Sequence, residues 1–179
     1  MKKFIKNYIN TIDKNLSKIH VEDFSKLLNL LNTIKKKNKK VIFAGNGGSA
    51  AMSSHSSVDF TKACEIRSIN FNEADLITCF ANDYGYENWI KEALNFYADK
   101  EDLVVLFSSS GKSKNIVNAA EFCKKNKINI VTFTGFSTNN PVKKLGRLNF
   151  WVNSKSYTIV EMTHHIWILM AVDYLSKSK

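Results

Sequence analysis

Leu103-Val-Val-Leu-Phe-Ser-Ser-Ser-Gly-Lys-Ser-Lys-Asn-Ile-Val117 is the stretch on which the reading of the whole chain turns. Its first five residues form an apolar run, too short for an isolated helix and rich in β-branched side chains, as expected of a strand buried on both faces of a parallel sheet. Ser108, Ser109, Ser110, Gly111, Lys112 and Ser113 follow, and then Ile116, Val117, Ala119, Ala120 and Phe122 recur at helical spacing. A strand therefore passes through a polar turn into a helix. The first N–H groups of such a helix lack internal partners and point outward with the positive end of its dipole. Hydroxyls add donors to that cup, so an anion with several acceptor oxygens is the expected guest, and phosphate fits best. A serine at this place is also an ordinary helix cap, but capping needs one hydroxyl and four stand within these six residues. Gly111-Lys112-Ser113 copies the end of a nucleotide P-loop, yet Leu106 occupies the position where the leading glycine belongs, so no nucleotide is expected.

A second junction of the same kind lies upstream. Val41-Ile42-Phe43-Ala44 reads as a strand, Gly45-Asn46-Gly47-Gly48-Ser49-Ala50 as the turn after it, and a helix runs on to about Lys62. The glycines permit positive φ and close approach of backbone to ligand. The third glycine of a dinucleotide fingerprint is missing, so a sugar-phosphate cradle is the better reading. On the helix that follows, His55 and Asp59 stand four apart on one face, either as base or metal ligand beside the cradle or as a solvated ion pair.

Further strands are expected over 65–71, 128–134 and 148–152, and helices over 72–79, 89–97, 141–145 and 156–175, with a polar, aromatic turn at 81–86 in which Asn82 and Asp83 are candidate caps of the next helix. Before residue 40 come two amphipathic helices. The first, with Phe4, Ile5, Tyr8, Ile9, Ile12 and Leu16, has one apolar stripe and no sheet of its own, which favours packing on a partner subunit. Alternating strands and helices predict a doubly wound, three-layer α/β/α domain with a mostly parallel sheet. Residues 1–179 form one domain, 1–38 being the helical pair and 39–179 the α/β body. In such sheets ligands sit beyond the carboxyl ends of the strands, so the glycine and serine turns should converge on one ligand.

Composition narrows the class. The chain of 179 residues is 44% apolar, normal for a globular protein, and no apolar run reaches the length of a membrane span. No charged-then-apolar leader opens it, and a cytoplasmic location is expected. Cys64, Cys79 and Cys123 are odd in number and unpaired in spacing, reading as buried small hydrophobes. The net charge of +10 comes largely from short lysine runs at helix ends and turns, including the Lys-Ser-Lys tail, so a solvated surface is preferred over a nucleic-acid groove. Acidic small molecules suit such a surface.

Taken together, Gly45-Asn46-Gly47-Gly48-Ser49-Ala50, Ala81-Asn82-Asp83-Tyr84-Gly85, the serine loop with Asn115, Thr132-Phe133-Thr134-Gly135 and the closing helix resemble the sugar isomerase (SIS) domain family, and most nearly its phosphoheptose isomerase branch. The resemblance implies a homotetramer with active sites between subunits. It also implies conversion of sedoheptulose 7-phosphate into the aldoheptose 7-phosphate used for lipopolysaccharide or capsule. Phosphate would be held by Ser108, Ser109, Ser110 and Ser113, with Asn46, Gly47, Ser49 and Asp83 lining the sugar site. Asp59 would be the base, where the family has a glutamate one methylene longer. Family isomerases carry Gln-Glu-x-His and a second, catalytic histidine on the last helix. Aligned on Glu161, this chain has Val160, Thr163 and Ile168 at the other three places. On this reading His164 supplies the imidazole, alone or with zinc held by His55, Asp59 and His164, and His165 points elsewhere. The alternatives are isomerisation of another phosphosugar, or a non-catalytic relative of the replication-initiator-associating type that binds a sugar phosphate or a protein.

Overall fold

A computed structural model describes residues 1–177; Ser178 and Lys179, the end of the basic tail, lie outside the described residues. Five strands form one parallel sheet in the order β2-β1-β3-β4-β5. They are β1 (Val41–Ala44), β2 (Ser68–Asn70), β3 (Leu103–Ser108), β4 (Asn129–Thr134) and β5 (Leu148–Trp151). β3 lies at the centre and is buried along its whole length, as its unbroken apolar run requires.

Successive strand residues point to opposite faces, and the two cores divide on that alternation. Val41, Phe43, Leu103, Val105, Phe107, Val131 and Phe133 pack under α2 (Val21–Lys36), α3 (Gly48–Lys62) and α8 (Tyr157–Lys177). Ile42, Ala44, Val104, Leu106 and Ile130 pack under α5 (Trp89–Tyr97), α6 (Lys114–Lys125) and α7 (Pro141–Leu145). The rings of Phe43, Phe107, Phe133 and Phe150 run side by side across the first of these faces, with centroids 6.3, 4.9 and 4.8 Å apart. The fold is the expected three-layer α/β/α, and the sheet is parallel throughout.

α1 (Lys2–Leu16) is tied to the body at its end, where Trp167 Nε1 donates to the Leu16 carbonyl at 3.1 Å. Its first turns carry Phe4, Ile5 and Ile9 at 66, 48 and 59% exposure, so that part of the apolar stripe is uncovered in the protomer, whereas Tyr8, Ile12 and Leu16 are half-buried.

Two local expectations need correction. α4 (Ala74–Tyr84) does not stop at Cys79 but runs through Asn82 and Asp83 to Gly85, where φ is +82°. Phe80 and Tyr84, one turn apart, meet edge to face at 5.7 Å, and Phe80 also meets Phe96 edge to face at 5.8 Å, which holds the last turn helical. Asn82 and Asp83 therefore sit inside a helix and cap nothing. Cys64 and Cys123 are buried as expected, whereas Cys79 is exposed on α4. No helix among the described residues is long and apolar enough to cross a membrane.

Candidate active site

Two strand-to-helix junctions build the site at the place where strand order reverses, between β1 and β3. After β1, Gly47 turns the chain with φ +54°, and a side chain there would look into open space, so the glycine keeps the loop's rim bare. After β3, Gly111 has φ +63°, and a Cβ on it would lie 2.0 Å from Asn140 Oδ1. The loops are fastened by a reciprocal amide pair. Asn46 Nδ2 donates to Asn115 Oδ1 at 2.9 Å, and Asn115 Nδ2 returns the bond to Asn46 Oδ1 at 2.8 Å. Tyr86 adds a hydroxyl bond to Asn46 Oδ1 at 3.3 Å.

Between them lies a cleft of about 80 Å³, lined by Asn46, Ser49, Ser108, Ser109, Ser110 and Ser113, with Tyr157 and Glu161 closing it from α8. This volume suits a phosphate head and falls far short of a nucleotide site. The loops that the sequence joined only by analogy meet here. Ser108 is only 4% exposed, and its Oγ has no hydrogen-bond partner among the described residues. Such a buried, unpartnered hydroxyl at the mouth of a helix is suited to a ligand that bonds it there. Ser113 begins α6, yet its side chain makes no capping bond and is left for the same guest. A roomier groove of about 610 Å³ between α5 and α6 is lined by Asn, Lys and Glu side chains with Phe122, and none of the serines of the two junctions reaches it.

Asp83 is not part of this lining. It is exposed near the end of α4, where its carboxylate accepts from Asn82 Nδ2 at 2.9 Å. Asp59 is also outside the cleft. It lies eleven residues beyond Gly48, about 16 Å along α3.

α3 and α8 run side by side in the same direction. A Cβ on Gly48 would stand 2.4 Å from Glu161 Oε2, His55 meets His165, and Cys64 Sγ approaches the Val172 carbonyl at 3.6 Å. The seam between them leads away from the cleft. His55 Nε2 lies 3.0 Å from Asp59 Oδ2, and His55 Nδ1 lies 2.9 Å from His165 Nε2. With Nε2–H turned to the carboxylate, His55 Nδ1 accepts from His165 Nε2–H in one consistent arrangement. Burial, with a smaller push from His55, holds His165 below the ordinary histidine pKa, while Asp59 acts the other way.

His164 is elsewhere. Its side chain is completely buried, Nε2–H donates to the Thr134 carbonyl at 3.0 Å, and its ring packs edge-on against Phe133. The expectation that His164 faces Asp59 is corrected: α8 turns Val160, Thr163, His164, Trp167 and Ile168 inward, which puts His165 on the α3 seam. The set His55, Asp59 and His164 does not fit a zinc ion. Both nitrogens of His55 are engaged, His164 is committed to the core, and no cluster of three His, Cys, Asp or Glu side chains able to hold a metal occurs among the described residues.

Glu161 and Tyr157 are the residues that sequence reasoning left out of the site. Their signal was present, since both open the helix that follows the last strand and stand one turn apart.

The family model for the SIS domain matches residues 6–135. The chain belongs to the SIS domain family. Within it, the similarity is to phosphoheptose isomerases. One from Sulfurimonas denitrificans is 32% identical over 178 residues, covering 92% of this SIS domain chain and 89% of the relative. Another, from Buchnera aphidicola of Acyrthosiphon pisum, is 29% identical over 172 residues, covering 93 and 86%. The structure of the phosphoheptose isomerase GmhA from Neisseria gonorrhoeae superposes with a TM-score of 0.87 at 20% identity, covering 97% of this chain and 98% of that one. The last comparison establishes the SIS fold.

Proposed function

We propose that this SIS domain protein is an aldose–ketose isomerase that interconverts sedoheptulose 7-phosphate and D-glycero-D-manno-heptose 7-phosphate in the cytoplasm, supplying heptose for surface glycans. The observation that carries the reading is the cleft at the β1/β3 reversal, where two helix N-termini and the unpartnered Ser108 hydroxyl face one small space. A phosphate there accepts from Ser108, Ser109, Ser110 and Ser113 and from the first N–H groups of α6.

Length supports a seven-carbon substrate. Six carbon–carbon bonds of about 1.5 Å, with the ester linkage added, carry C1 roughly 10 Å from phosphorus. His55 lies seven residues past Gly48, also about 10 Å along α3. A chain laid in the seam with its phosphate in the cleft thus brings C1 and C2 to His55 and Asp59.

Asp59 takes a proton from C1 while the C2 carbonyl oxygen gains one, giving an enediol. The O1 hydroxyl then loses its proton as the C1 carbonyl forms, and C2 receives the returned proton. No external oxidant or reductant enters. His55, held between Asp59 and His165, orients the carboxylate and passes the oxygen-bound proton.

Assembly into a homotetramer with sites between subunits is part of the proposal. Phe4, Ile5 and Ile9 on α1 and Met162, Ile166, Met170 and Tyr174 on α8 are exposed apolar side chains that a second copy would cover. The test is incubation of purified protein with sedoheptulose 7-phosphate, following the aldose anomeric proton by NMR. Appearance of the aldose supports the reading. Binding without turnover moves the chain to the non-catalytic class.

A further inference from the structure

We propose that Glu161 is the residue that reads the sugar: its carboxylate accepts hydrogen bonds from the hydroxyls between the phosphate and the reacting carbons. The inference rests on the functional reading above and goes beyond it by assigning a specificity-determining residue that is neither in the serine cup nor in the His55–Asp59 pair.

Glu161 enters the cleft from α8 with Oε2 lying over Gly48 at the start of α3, and Oε1 accepts only a long bond of 3.4 Å from Ser109 Oγ. No backbone N–H of the α3 terminus is bonded to it among the described residues, so it is not a capping group. A carboxylate has about four acceptor directions, and here most of them open on the cleft. His165 is four residues further along α8, about 6 Å nearer the reacting end. Glu161 therefore stands between the phosphate seat and the proton-transfer pair, alongside the middle of an extended substrate.

Its charge makes the assignment selective. A carboxylate beside an anion cup repels phosphate, which weakens the binding of bare inorganic phosphate. A phosphorylated polyol offsets that repulsion, because its hydroxyls donate to Glu161. Charge-assisted bonds of this kind are about twice as strong as neutral ones. The residue thus opposes anions that carry no hydroxyl chain and favours those that do. Gly48 is required for the same reason, since any side chain there would displace the carboxylate.

The experiment compares wild type with Glu161→Gln, measuring inorganic phosphate binding by competition and kcat and KM for sedoheptulose 7-phosphate. Glutamine keeps the shape and removes the charge. Inorganic phosphate should bind roughly 3- to 10-fold tighter to the variant, from loss of a like charge at short range. KM for the sugar phosphate should rise about 10-fold or more with kcat changed far less. Glu161→Asp, which keeps the charge but withdraws it by one methylene, should raise KM and leave phosphate affinity as in wild type. Parallel loss of both affinities in Glu161→Gln would show a structural role and overturn the proposal, as would no change in either. A collapse of kcat at constant KM would make Glu161 the proton carrier and also overturn it. Failure of wild type to bind phosphate at all would instead remove the functional reading, and this inference with it.

Discussion

His164 gives the sharpest test of how α8 sits. Complete burial pushes its pKa down to about 4, against a smaller opposing effect of its bond to the Thr134 carbonyl. Nδ1 has no partner among the described residues, so protonation would place an unpaired charge beside Phe133 and Trp167. The unfolded chain, with a histidine pKa of about 6.5, takes up the proton first on acidification. The stability held by a neutral His164 is therefore complete above about pH 6.5 and is lost as pH falls from there toward 4. Between about pH 7.5 and pH 5 the loss from this residue is about 2 kcal/mol, a sizeable part of an ordinary folding free energy of about 5–15 kcal/mol. Urea unfolding followed by tryptophan fluorescence at those two pH values measures it. In His164→Gln the amide can still donate to Thr134 but cannot titrate, so the variant should lose about 2 kcal/mol less than wild type over that interval. Because His164 lies in the core, the variant should also keep its turnover of sedoheptulose 7-phosphate. Equal pH slopes in the two proteins, or loss of turnover in a folded variant, would refute the placement.

Asp59→Asn should lower kcat by about 100-fold or more while leaving competition by inorganic phosphate unchanged, since the proposed base and the proposed phosphate seat are separate. Gly111→Ala combines a positive φ with a Cβ clash on buried Asn140, and should lose about 1–3 kcal/mol in urea melts together with phosphate affinity. Asp102 is 1% exposed and accepts from Lys40 Nζ and from the Lys40 and Asp99 backbone N–H groups, so Asp102→Ala should cost about 3–5 kcal/mol in the same assay. Asp at both Ile5 and Ile9 should reduce the molar mass seen by light scattering to that of a smaller assembly without lowering the helicity of the protomer.

The fold was legible because β1, β3 and β4 are short apolar runs closed by glycine or serine, a pattern that only a buried parallel sheet satisfies. The cleft was legible for the same reason, since strand order and turn composition together put both loops at one end. Side-chain direction on α8 was not. That helix buries Ile159, Val160, Thr163, His164, Trp167 and Ile168 yet also exposes Met162 and Ile166, so its apolar residues run almost all round it. Periodicity then cannot say which stripe meets the sheet and which meets α3. His164 and His165 exchange roles on a rotation of about 100°, and only packing against Phe133 and Trp167 decides it. The end of α4 was missed differently: Asn82 and Asp83 look like caps, and the contact of Phe80 with Phe96 that overrides them is tertiary.

The departures from the family pattern acquire a physical sense once α8 is placed. Val160, Thr163 and Ile168, standing where the resemblance leads one to expect glutamine and two histidines, are all fully buried, and Thr163 Oγ1 donates to the Ile159 carbonyl at 2.7 Å. Val160 also packs where a Cβ on Gly135 would collide with it at 2.8 Å, so the small residue after β4 and the branched one on α8 fit each other. That face of the helix has become core. The polar groups of α8 stand instead at Glu161 on the cleft, where the resemblance also leads one to expect a glutamate, and at His165 on the seam, both half-buried. On the proposed function the serines that would hold phosphate belong to the turns after β1 and β3, and α8 adds only Tyr157 and Glu161 at the cleft's edge. On the same proposal, what α8 alters is the part that would touch hydroxyls and move protons. Substitutions at Glu161 and His165 should therefore alter discrimination and turnover of sugar phosphates while leaving bare phosphate a ligand, and substitutions at Val160 or Ile168 should register chiefly as lost stability.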